Sequence, residues 1–280
     1  MDEFEGRVAV VTGAASGIGR ALADAFAGLG MRLVLADIEA GPLEATAAEL
    51  RGAGADVFAV TADVSRYQDV ERIGEAAIDV YGGLHVACNN AGVGGGGLTW
   101  EVDLDTWEWI LGVNLFGVVH GLKAFTPRII ASGGGHIVNT ASMAGLTSTP
   151  GMSPYNVSKH AVVTMSESMY LELEMTHPEV GISVLCPGWV RTRINESERN
   201  RPGWTPPEAD EESALDAMRQ MVDTLIAEGL NPAVVANLVV EAIRERRFYV
   251  LTHAEWSAMV RDRVDRMLSG EPPAMFLPGN

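Results

Sequence analysis

The chain has 280 residues, 47% hydrophobic and 20% charged, and its 37 acidic against 20 basic side chains give a net charge of −17. That length and apolar content can close a substantial core within one α/β domain. The acidic balance argues against a phosphate-backbone partner and against generic adhesion to nucleic acid or anionic membrane. No apolar run approaches the roughly 20 residues that span a bilayer. The acidic start, Met1-Asp2-Glu3-Phe4-Glu5, is unlike a secretory signal, so the expected location is cytoplasmic.

Read for period, short apolar runs alternate with longer helical patterns. Strands are predicted at 7–11, 32–36, 56–61, 84–88, 135–140, 182–186 and 248–251, and helices at 18–29, 41–52, 68–81, 104–132, 154–176 and 232–246. Strict alternation implies parallel pairing with helices on both faces. The expected class is therefore α/β, a doubly wound parallel sheet of about seven strands, Rossmann-type, with ligands at the carboxyl ends of the strands. One catalytic domain is expected over 1–253. It is interrupted at about 191–231 by an insert suited to a substrate lid, with a charged stretch at 195–210 and a possible helix at 211–228. An extension at 254–280, helical in pattern up to Leu268, is either a subunit contact or a frayed end. The run Gly94 to Gly97 reads as a local flexible turn.

After the first strand comes Thr12-Gly13-Ala14-Ala15-Ser16-Gly17-Ile18-Gly19, opening into a helix. Glycines admit a pyrophosphate close to the backbone, and a helix N-terminus offers it free N–H groups. Gly13, Ser16, Gly17, Ile18 and Gly19 are thus candidate coenzyme contacts, although the spacing matches neither G-x-G-x-x-G nor a Walker loop. Asp37 ends the second strand, where a carboxylate can accept ribose hydroxyls and repel a 2′-phosphate. NAD is favoured over NADP.

Tyr155 precedes Lys159 by four residues, with Ser142 thirteen residues upstream of the tyrosine. Ser153-Pro154 reads as a helix N-cap followed by proline at the first helical position, which puts Tyr155 and Lys159 on one face. A phenol with a pKa of about 10 needs a neighbouring cation to work as a base near neutrality, and Lys159 can supply it. The Ser142 hydroxyl can donate to an oxygen on which negative charge develops.

In order and spacing, Thr12 to Gly19, Asp63-Val64, Asn89-Asn90-Ala91-Gly92, Asn114, Ser142, Tyr155-x-x-x-Lys159 and Pro187-Gly188 resemble the short-chain dehydrogenases/reductases in their shorter form, over about 5–251. The resemblance implies that Asp63 and Val64 contact adenine and that Asn90, Ala91 and Gly92 form a loop stabilising the sheet. It implies a catalytic tetrad of Asn114, Ser142, Tyr155 and Lys159, with Asn114 steadying a water beside the lysine. Pro187, Gly188, Val190 and Thr192 would then wall the nicotinamide, which Tyr155 and Lys159 also touch. It implies, too, a homotetramer or homodimer built on the helices at 104–132 and 154–176.

The expected activity is interconversion of a secondary alcohol and a ketone with NAD. A non-catalytic NAD-binding protein and an NADP-dependent carbonyl reductase are the alternatives. Met143, Leu146, Pro150, Met152, Trp189, Trp204, Met218 and Met221 suggest a hydrophobic substrate. Cys88 and Cys186 each close an apolar run and read as buried hydrophobes. The six histidines show no ligand-like spacing, and no metal is expected.

Overall fold

The computed structural model describes residues 3–203, 205 and 214–274, with 214–219 as backbone only. Trp204, residues 206–213 of the predicted insert at about 191–231 and the side chain of Met218 lie outside the described residues.

The apolar runs become seven parallel strands: β1 (Val8–Thr12), β2 (Arg32–Asp37), β3 (Val57–Thr61), β4 (Val86–Asn89), β5 (Gly135–Thr140), β6 (Val180–Cys186) and β7 (Tyr249–Leu251). They form one sheet in the order β3-β2-β1-β4-β5-β6-β7. Alternate side chains of a strand serve opposite faces. Ala9, Val11, Leu33 and Leu35 enter the core under α1 (Gly17–Gly28), α2 (Ala40–Gly52) and, further along the chain, the helix Pro232–Glu245. Val8, Val10, Val34 and Ala36 enter the opposite core, under α3 (Tyr67–Tyr81) and the helices that follow β4 and β5. With both faces covered, β1 is buried at every position, which is why it reads as an unbroken apolar run. The strand order reverses between β1 and β4, and the crevice between their carboxyl ends is where such a sheet takes a ligand.

The predicted helix at 104–132 is divided. It comprises α4 (Leu104–Leu111), a π-helical turn (Gly112–Phe116) and α5 (Gly117–Ala131). The extra residue of a π turn rotates the register locally and is a recurrent feature of functional sites. Here it carries Asn114, which is fully buried. By length and composition, Leu104–Ala131 also suffices to cross a membrane, contrary to the expectation that nothing in the chain would. In this fold its own side chains Ile110, Val118, Phe125 and Ile129 are buried in the core.

Next come α6 (Ser153–Thr176), α7 (Ala214–Ala227), α8 (Pro232–Glu245) and α9 (Ser257–Ser269). Ser153 is not the N-cap of α6. Met152 holds that position, and the Ser153 hydroxyl bonds Thr99 instead, a tertiary partner that local sequence cannot reveal. The predicted strand at 84–88 forms only from Val86, because Leu84 and His85 are still entering the sheet. The predicted strand at 182–186 begins two residues early, paired with Gly135 and His136. Nor is the Gly94–Gly97 run a loose turn. Gly97 N–H bonds the Gly151 carbonyl at 2.8 Å, and a Cβ on Gly96 would lie 2.1 Å from that same oxygen.

Between β4, β5 and α6 runs a buried amide ladder. Asn89 Nδ2 donates to Asn139 Oδ1 at 2.9 Å, Asn139 Nδ2 to Ser166 Oγ at 3.0 Å, and Ser166 Oγ to the Val162 carbonyl at 2.7 Å. Buried amides demand such partners. Gly121 of α5 lies against this ladder, where a Cβ would fall 1.8 Å from Asn89 Oδ1. Gly121→Ala should therefore destabilise the chain by more than about 2 kcal/mol in urea unfolding. A change within about 0.5 kcal/mol would mean that the ladder is free to move.

Candidate active site

Four segments converge on the crevice. Thr12 Oγ1 donates to the Cys88 carbonyl at 3.2 Å and accepts the N–H groups of Asn90 and Ala91 at 2.9 and 3.0 Å. Asn90 Nδ2 donates to the Thr12 carbonyl at 3.0 Å, and Thr140 Oγ1 to Asn90 Oδ1 at 3.3 Å. The predicted loop Asn90-Ala91-Gly92 thus ties the ends of β1, β4 and β5 together.

The glycine-rich turn is shaped by its lack of side chains. Gly13 and Gly17 have φ of 67° and 55°, in the left-handed region that favours glycine. A Cβ on Gly19 would fall 2.0 Å from the Gly13 carbonyl oxygen. Ser16 is the N-cap of α1 but its side chain caps no N–H, and no acidic residue stands in the first turn. Such a helix start suits an anion. Ile18 is half-buried against the α1 core.

Asp37 is mostly buried at the end of β2, and its carboxylate accepts Ala15 N–H at 2.9 Å and Glu39 N–H at 3.0 Å. Burial pushes its pKa up, and these backbone bonds oppose the shift. The remaining lone pairs can accept hydroxyl groups. Asp63 lies beyond β3, where Oδ1 accepts both the Ser65 N–H and the Ser65 hydroxyl. Val64 is buried, and its carbonyl faces His120 Nδ1 at 2.9 Å. Tight glycines, an open helix start and a carboxylate at the end of β2 fit a dinucleotide laid across the crevice.

At the other end, α6 brings Tyr155 and Lys159 to one face as its period requires. Lys159 Nζ lies 5.6 Å from the Tyr155 ring centroid and donates to the Thr140 carbonyl at 2.9 Å. Burial lowers the lysine pKa to about 8, so the amine stays mostly cationic at neutral pH. Sequence reasoning expected this cation to bring the tyrosine pKa down. In the folded chain burial dominates and the phenol is held above its ordinary value, while a hydrogen bond with Ser142 opposes the rise. Ser142 Oγ also accepts Ala144 N–H at 3.1 Å and can donate to the Pro187 carbonyl at 3.3 Å.

Asn114 Nδ2 donates to the Val93 carbonyl at 3.0 Å and to Ser158 Oγ at 3.2 Å, while Oδ1 accepts Val93 N–H at 2.8 Å. Its side chain therefore holds the loop after Gly92, with one lone pair of Oδ1 left for a water. Cys88 and Cys186 are buried free thiols, and burial pushes the Cys186 pKa up to about 12.

The segment after β6 forms a wall. The Pro187 carbonyl accepts Met143 N–H at 2.9 Å, Gly188 N–H bonds Thr252 Oγ1 at 3.1 Å, and Val190 bridges to Leu230. Thr192 packs against Gly17, where a Cβ would fall 3.0 Å from its Cγ2. No local pattern marks Thr252, His253 and Trp256 as part of this wall. Trp256 meets the Trp189 ring edge-on at 6.1 Å and tilts against His253 at 4.9 Å, so the start of the C-terminal extension buttresses the site. Of the predicted substrate-facing residues, Met143 belongs instead to the core with Val162 and Val184, and Pro150 and Met221 are exposed. Leu146, Met152 and Trp189 are half-buried.

Residues 7–203 match the family described as short chain dehydrogenase. Among curated relatives, the "CLA biosynthesis dehydrogenase/reductase" of Lactiplantibacillus plantarum is 35% identical, covering 99% of this chain and 98% of its own. The "1-deoxy-11-beta-hydroxypentalenate dehydrogenase" of Streptomyces exfoliatus is 38% identical, covering 96% and 92%. A crystal structure of a short chain dehydrogenase/reductase from Burkholderia phymatum in complex with NAD superposes with a TM-score of 0.94 at 46% identity, covering 99% of each chain. Fold, crevice and relatives agree: this chain belongs to the short-chain dehydrogenase/reductase family and is an oxidoreductase.

Proposed function

We propose that the protein interconverts a hydrophobic secondary alcohol and its ketone with NAD, using Tyr155 as the acid/base. The observation that carries this is the juxtaposition of Tyr155, Ser142 and the buried Lys159 at the mouth of the crevice. NAD held by the Gly13–Gly19 turn and Asp37 would supply the acceptor for the hydride that leaves the carbinol carbon. Tyr155 takes the hydroxyl proton in the same direction and returns it during reduction. Ser142 hydrogen-bonds the reacting oxygen, and Lys159, fixed on Thr140, favours the ionised phenol and reaches the ribose. Asn114 holds the loop beside the lysine and orders the water that passes the proton on.

Asp37 supports NAD over NADP, as does the relative solved with NAD. For the substrate, the half-buried Leu146, Met152 and Trp189 favour an apolar body. The buried Trp189 indole N–H has no partner among the described residues and suits an acceptor on that body. The relative named for hydroxypentalenate favours an alicyclic hydroxy compound.

Assembly as a homodimer or homotetramer through α5 and α6 is supported by a surface groove of about 510 Å³ between them, lined by Leu122, Pro127, Met165 and Met169. Leu171 and Met175 of α6 are also exposed apolar side chains. Sedimentation equilibrium should give two or four times 29.8 kDa. A monomer at micromolar concentration would remove this part of the proposal.

Reduction of NAD followed at 340 nm, against a panel of hydrophobic secondary alcohols, tests the chemistry. Tyr155→Phe should abolish turnover while leaving NAD binding intact. Ser142→Ala should cost about 10²–10³ in rate. Because the Ser142 bond favours the phenolate, its loss raises the tyrosine pKa, so the acid limb of alcohol oxidation, where the rate rises with pH, should move to higher pH. A limb that stays in place would remove Tyr155 as the titrating base. Asp37→Ala should lower the NAD-to-NADP affinity ratio by about tenfold or more. The ratio is the relevant readout, since Asp37 also braces the turn through Ala15, and an unchanged value would refute the coenzyme assignment.

A further inference from the structure

Beyond the wall, the chain crosses the mouth of the crevice as a strap ending in a short 3₁₀ helix, Ile194–Asn200. Ser197 Oγ accepts Gly94 N–H at 2.9 Å, and Arg201 Nη2 meets Asp103 Oδ1, at the N-cap of α4, at 2.9 Å. The strongest tie lies at the opposite side, between residues 160 apart in sequence. Arg199 Nε donates to Glu39 Oε1 at 3.2 Å and Nη2 to Glu39 Oε2 at 2.7 Å, a forked pair with side chains only 25% and 19% exposed. Arg199 Nη1 also donates to the carbonyls of Arg193 and Glu196 at 3.2 and 2.8 Å, so the guanidinium is fixed within the strap.

Glu39 stands two residues past Asp37 and gives its N–H to the Asp37 carboxylate. Arg199 holds the Glu39 carboxyl below its usual range, and the Asp37 charge also favours the guanidinium. A forked, sheltered pair is stronger than an ordinary surface ion pair. It joins the strap to the strand end that carries the ribose-selecting carboxylate.

We propose that Arg199 is a coenzyme-positioning and selectivity residue: paired with Glu39, it closes the strap over the adenosine-ribose end of the dinucleotide site and keeps its guanidinium from a 2′-phosphate. The inference rests on the NAD reading above. Its consequence is that coenzyme residence and strap closure are coupled at a point remote from the reacting carbon. The pair also acts twice in selectivity, through the cation it occupies and the carboxylate it places beside Asp37. Freed of Glu39, the same guanidinium would become a phosphate ligand.

The test uses the full chain without substrate. NAD and NADP affinities are measured by titration, NAD dissociation by stopped-flow fluorescence, and amide exchange across 192–201 in the free protein, with thermal unfolding as the folding control. Arg199→Met should speed NAD dissociation roughly five- to tenfold and raise exchange in the strap. In steady state KM for NAD should rise without a matching fall in kcat. Glu39→Gln should shift the affinity ratio toward NADP at least about fivefold. The exchanged pair, Glu39→Arg with Arg199→Glu, should bring amide exchange in the strap back toward the wild-type rate. Unchanged NAD dissociation in a folded Arg199→Met variant, or an unchanged ratio in Glu39→Gln, overturns the inference. A wild-type chain that binds neither dinucleotide overturns the coenzyme reading itself, a result distinct from unaltered variants.

Discussion

The buried ammonium of Lys159 is the constraint on which the site depends. An amine that is 2% exposed must find a partner or lose its proton, and its partner here is the Thr140 carbonyl at the end of β5. That single bond fixes the rotation of α6 on the sheet, and with it the position of Tyr155 one turn earlier. The neighbouring segments then follow. Thr140 reaches Asn90, Asn90 is stitched to Thr12, and Thr12 opens the glycine-rich turn.

Burial has opposite effects on the two titrating groups. It disfavours the phenolate of Tyr155 and the cation of Lys159 alike, moving the first pKa up and the second down to about 8, so the phenol comes to hold its proton more tightly than the ammonium does. Ser142 adjusts the balance, and its own position is set by the wall, since its hydroxyl lies against the Pro187 carbonyl. The wall is in turn braced by Thr252, His253 and Trp256. Residues beyond the last strand therefore influence the chemistry through packing.

The Tyr155 and Asp37 ends of the crevice are linked through the chain that follows β6. Thr192 of the wall packs on Gly17 of the turn, and the strap that follows returns to Glu39 beside Asp37. The division of the predicted long helix by a π turn has a similar logic. It gives Asn114 the rotation needed to meet both the Val93 N–H and its carbonyl, which a continuous α-helix does not guarantee.

The sequence by itself determined the strand and helix alternation, the glycine-rich turn and the helical spacing of Tyr155 and Lys159. Each is set by backbone sterics or by period within a few residues of chain, and so is written locally. Only the tertiary structure decided that Gly96 and Gly121 are close-packing positions rather than flexible ones, that Met143 is core, that Ser153 serves Thr99, and that burial outweighs Lys159 in setting the tyrosine pKa. It alone brought Arg199 to Glu39 and Trp256 to Trp189. These outcomes depend on how deeply a group is buried and on partners distant along the chain, quantities that exist only once the sheet has closed.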